Sequence, residues 1–158
     1  MTKIEDMSEP QRQAWITLLA DGAVFAYFWS KTTAGFSPKL IHTNMENFGA
    51  IILSVIIATV IVHAVIAAIF DIRKRKEPYE KDERDITIEQ KGAHWGYRLM
   101  QWGVGGVICM MFFHHVVGIA NEQPLSLQKP AEIIFVLLVV SYVADLAKQG
   151  IMIWAYRD

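Results

Sequence analysis

Five ionisable residues stand inside long apolar runs of this chain: Asp21, His63, Arg98, Asp145 and Lys148. In hydrocarbon such a group must find a partner or face a water-filled cavity, so each is a candidate for function. Depth follows from the 1.5 Å helical rise. Asp21 lies about 7 residues into its run and Lys148 about 8 from the end of its own, with the other three within a turn or two of that level. The expectation is one polar layer, with Asp21 or Asp145 facing Lys148 or Arg98. Two chemistries fit: a proton or ion relay (or a small-ligand site), and an ion-pair cluster that only fixes how helices pack.

The histidines raise the question of haem or metal. Two axial ligands must lie at matching depth to clamp one iron. His63 sits roughly 10 Å from one end of its run, while His114 and His115 lie near the opposite end of theirs. That mismatch excludes a His63–His114 haem. His42, Glu46, His114 and His115 could gather at the outer end, but their spacing matches no ligand motif. No metal or cofactor is expected.

The densest polar chemistry is the block Asp71–Lys91, which holds seven basic and seven acidic residues. Arg73, Lys74, Arg75 and Lys76 are consecutive bases beside an apolar run, a pattern that holds anionic headgroups. Pro78 interrupts the chain there. The following segment reads as helical, with Asp82, Asp85 and Glu89 within about 60° of the helical wheel and Arg84, Ile88 and Lys91 facing away. Such acids repel unless they meet bases. A fold-back onto Arg73–Lys76, within one subunit or swapped between two, would neutralise both. The i,i+4 pairs Glu80–Arg84 and Lys81–Asp85 would add a few tenths of a kcal/mol each. The block is either a solvated extension of the next span or a docking surface for a cytoplasmic protein through Asp82, Glu83, Arg84, Asp85 and Glu89. Three carboxylates on one short helix are a weak metal pattern.

The elements that must position these groups follow from composition. At 158 residues the chain is one domain; 53% is hydrophobic and 20% charged, the charge gathered at the termini and in the central block. A net charge of −1 excludes direct nucleic-acid binding, which needs a basic face. The lone Cys109 cannot form an intrachain disulfide. The amino terminus lacks a basic start and a small-residue cleavage site, so the first apolar run is expected to be a retained helix.

Four spans are expected, at 14–30, 48–70, 92–120 and 131–156, with a loop at 71–91. Ala50, Ser54 and Ala58 in the second span, and Gly92, Gly96, Gly103 and Gly106 in the third, suit close helix approach in lipid. The glycines point to the third span as the central helix. The reading is an all-α, four-helix transmembrane bundle. The 71–91 loop carries far more Lys and Arg than the other links, which hold Lys31, Lys39 and Lys129. That places the loop and both termini in the cytoplasm, with the four spans in the inner membrane.

The run Lys81-Asp82-Glu83-Arg84-Asp85, followed by Ile88, Lys91 and Tyr97, resembles a family of small prokaryotic predicted membrane proteins of unknown function. That family has four hydrophobic spans and a cytoplasmic Asp-Glu-Arg-Asp motif before the third, and its members are often encoded beside small helix-turn-helix regulators. The resemblance implies a role in membrane-linked transcriptional control and names no catalytic residue. The leading expectation is a non-enzymatic membrane protein that binds a cytoplasmic regulator, and itself in a homodimer. The alternative is a small transporter or ion-coupled protein using the polar layer. A third, an enzyme acting on lipid, has only the acids near headgroup level behind it.

Overall fold

The computed structural model describes residues 7–33, 48–76, 80–116, 127 and 130–157. These form four helices: α1 (Glu9–Thr32), α2 (Phe48–Lys76), α3 (Glu83–His115) and α4 (Pro130–Ala155). Their ends obey local rules. Ser8 caps α1 by accepting from the Gln11 N–H, and Pro10 occupies the first turn, where no backbone donor is needed. At the other end the Thr32 and Thr33 hydroxyls donate to the Phe28 and Trp29 carbonyls. Asp82 caps α3 by accepting from the Asp85 N–H at 2.7 Å, and Glu83 and Asp85 place negative charge at the positive end of the helix dipole. Pro130 opens α4.

The expected loop at 71–91 is largely helical. The second helix runs on through the basic residues to Lys76, and the third begins at Glu83, well before Gly92. The Asp82 cap and the acid-rich first turn account for the early start. Likewise α1 begins before Ala14, because Ser8 rather than the first apolar residue starts it.

The helices pack in the order α3–α4–α1–α2, with α4 between α3 and α1. The third helix is therefore not the central one, as its glycines suggested. Those glycines serve a single neighbour: a Cβ at Gly92 would meet Met152, at Gly96 Lys148 and the Ala144 carbonyl, and at Gly103 Val140. Gly106 faces open space and takes no part.

Two apolar clusters hold the bundle. At one end Val24, Phe28, Phe48, Val55 and Phe135 pack with the rings of Phe25, Trp29 and Tyr142 around them. At the other end Ala14, Ile88, Met152 and Ile153 join α1, α3 and α4. Large apolar side chains also cover the outside, including Leu53, Ile57, Ile61, Val65 and Ile69 on α2 and Trp102, Ile108 and Phe112 on α3. Two helices, over Phe48–Arg73 and Pro130–Ala155 (26 residues each), are long and apolar enough to cross a membrane. The first helix falls short because of Asp21 and its polar first turns; the described part of α3 falls short because of its polar start through Gln101 and His114 at its end, and residues 117–120 of the expected third span lie outside the described residues.

Candidate functional site

Between the two apolar clusters, α1 turns a carboxylate inward. Asp21 is 4% exposed, on the same side of α1 as Ala14, Val24 and Phe28. Its Oδ1 lies 3.5 Å from His63 Nε2 on α2. The other ring nitrogen, Nδ1, lies 3.0 Å from the Thr59 carbonyl oxygen one turn earlier. A carbonyl only accepts, so Nδ1 carries the proton. A neutral imidazole with its hydrogen on Nδ1 faces a carboxylate lone pair to lone pair, and a proton on either Nε2 or Asp21 would make the contact attractive.

Asp21 and His63 line a cavity of about 240 Å³ together with Val55, Ile56, Thr59 and Val60 of α2 and Leu138, Ser141, Tyr142 and Asp145 of α4. Its walls are mostly apolar, and its polar groups come from three helices. The Thr59 hydroxyl donates to the Val55 carbonyl at 2.8 Å, so the 2.8 Å contact with Tyr142 has the phenol donating to Thr59 Oγ1. The Tyr142 ring is held by Phe25 and Phe28, with centroids 5.6 and 6.4 Å away. Asp145 is exposed to this space and has no hydrogen-bond or ion-pair partner among the described residues.

Three of the five expected polar-layer residues line this cavity: Asp21, His63 and Asp145. Lys148 acts on Asp21 electrostatically from beside it, and Arg98 stands apart. Arg98 is exposed on α3, which packs on α4 through its glycine face and points Arg98 away. Lys148 lies on the α3 side of α4, against Gly96, and lines a separate cleft with Gln13, Thr17, Lys81 and Glu89. Sequence reasoning missed Thr59, Ser141 and Tyr142. The signal was present: Thr59–His63 and Ser141–Asp145 are i,i+4 pairs, which puts each on the face of its ionisable neighbour.

The charged block is arranged differently from the expected acidic face. Asp85 is 3% exposed and accepts from the Tyr156 hydroxyl at 2.8 Å, which ties the start of α3 to the end of α4. Asp82 is spent on capping. Glu89 pairs with Lys81 at 2.6 Å. Glu83 and Arg84 remain exposed and, with Thr87, Ile88, Lys91 and Ala155, rim a shallow cleft. Arg75 pairs with Asp71 of its own helix at 3.0 Å, and Arg73 is exposed. The side chains of Lys74, Lys76 and His115, and all of His42 and Glu46, lie outside the described residues. Among the described residues no group of three His, Cys, Asp or Glu is placed to hold a metal. Comparison with protein-family models, curated proteins and solved structures gives no match.

Proposed function

We propose that this chain is a non-enzymatic four-helix membrane protein, with both termini on the cytoplasmic side of an inner membrane. In this reading the Asp21–His63–Asp145 cavity exchanges protons or small cations. The observation that carries it is the 3.5 Å approach of His63 to buried Asp21 at the wall of an open cavity, where the two side chains would share a proton. A purely structural ion pair would be closed by packing. This one borders empty space that also receives Asp145. The exposed aliphatic belt of α2 supports the membrane setting, since in water it would be an adhesive surface. The excess of Lys and Arg in 73–91 supports the orientation.

The test is proton flux in proteoliposomes loaded with a pH-sensitive dye. Native protein should dissipate an imposed gradient. Asp21→Asn, which keeps the shape and removes the proton site, should lower the rate to that of empty vesicles. Equal flux in both proteins defeats the proposal, as does no flux in the native one.

One observation favours a second reading, docking of a cytoplasmic regulator. Glu83, Arg84 and Lys91 are exposed around the cleft beside Ala155, and they belong to the motif that resembles the regulator-linked family. Asp85 cannot share in that surface while it is buried against Tyr156. Recovery of the same partners by native protein and by Glu83→Ala/Arg84→Ala from solubilised membranes would remove this reading.

A further inference from the structure

The cavity specifies more than a proton, and we infer that it binds a small, hydrophobic, monovalent organic cation, of the quaternary or protonated-amine kind. The inference rests on the exchange site proposed above and adds the class of its second ligand.

Charge comes first. Asp21 is met by His63 at 3.5 Å and by the positive charge of Lys148, which acts on it from the adjacent cleft. Asp145 is the cavity carboxylate with no ion-pair partner among the described residues. One unit of positive charge balances it.

The walls then select the kind of cation. A bare divalent ion takes six or more oxygen ligands, or a tight octahedral set. Here, among the described residues, Asp21, His63 and Asp145 line the cavity but are not grouped closely enough to hold a metal ion. Most of the lining surface is apolar, with Val55, Ile56, Val60 and Leu138 forming an aliphatic wall beside the Tyr142 ring. Such walls favour a cation whose charge is wrapped in methylene groups, and aromatic rings attract it further. Volume sets the size. At about 240 Å³ the cavity suits a compact cation and excludes one bearing several aryl groups. Ile56 and Val60 are also among the side chains exposed on the outside of α2, so the cavity opens at the apolar surface, where a hydrophobic cation would partition.

The experiment is titration calorimetry on the full chain in detergent, with tetraethylammonium as the probe. Native protein should bind it, and Asp145→Asn should weaken binding at least tenfold, about 1.4 kcal/mol. Val60→Phe, which fills the space and keeps every charge, should weaken it comparably while leaving the helical circular dichroism unchanged. Tetraphenylphosphonium and an uncharged amphiphile of tetraethylammonium's size should bind at least tenfold more weakly. Equal binding by Asp145→Asn, equal binding of the uncharged compound, displacement by millimolar Mg²⁺, or no binding of tetraethylammonium to folded native protein each overturns the inference. Proton flux without tetraethylammonium binding removes this inference alone. Binding without flux removes the proton pathway alone.

Discussion

Replacing Gly103 by Ala tests how α3 is held. A Cβ there would run into Val140 Cγ1 and lie 2.9 Å from its Cγ2. Ordinary carbon contacts are about 3.5–4.0 Å, so either the helices separate by an ångström or more or Val140 turns. Valine has essentially one χ1 rotamer in a helix, and leaving it costs about 0.5–1.5 kcal/mol. Overpacking of this kind costs about 1–3 kcal/mol in all. Alanine returns up to about 1 kcal/mol through helix propensity. The expected result is a net loss of about 1–2 kcal/mol. Gly105, two residues on, has nothing within 4 Å of the point where its Cβ would lie, so Gly105→Ala should be neutral or stabilising. Removing the obstacle in the double variant Gly103→Ala/Val140→Ala should recover part of the loss, because residues in contact do not act additively. Denaturant titration in mixed micelles, followed by circular dichroism, reads all of these proteins. Gly103→Ala as stable as native, or strictly additive with Val140→Ala, would refute the packing of α3 against α4.

Tyr156→Phe leaves buried Asp85 without the hydroxyl it accepts from, which should cost about 1–3 kcal/mol in the same titration. Asp82→Ala removes the cap of α3 and should cost about 0.5–2 kcal/mol, most of it recovered by Asp82→Asn. Lys81→Met breaks a half-exposed pair with Glu89 and should change stability by less than about 1 kcal/mol, an effect that fades in high salt.

The helical class and the number of helices were legible because each apolar run is far longer than a strand. The polar layer was legible in part. Counting residues gives depth but not direction: Asp21, His63 and Asp145 line one cavity with Lys148 acting on Asp21 beside it, while Arg98 points away. Direction depends on neighbours. Gly96 draws α3 onto α4 and leaves Arg98 outside, and Lys148 follows the face of α4 that meets α3. The glycine stripe revealed a close contact but could not say that one helix supplied all of it. The charged block misled for a related reason. An acid-rich helical face looks like a docking surface on a wheel, yet Asp85 is drawn inward by Tyr156, 71 positions away in sequence. No local pattern reports such a partner.

The proposed exchange site depends on His63 keeping one proton on Nδ1 and sharing a second with Asp21 through Nε2. Nitrogen-15 magnetic resonance of histidine-labelled protein in lipid bilayers, with His63 assigned by comparison with His63→Gln, reads both ring nitrogens directly. A protonated Nδ1 is expected in native protein and in Asp21→Asn, with an Nε2 signal that shifts between the two. A bare Nδ1 with the proton fixed on Nε2, unchanged by Asp21→Asn, would contradict it.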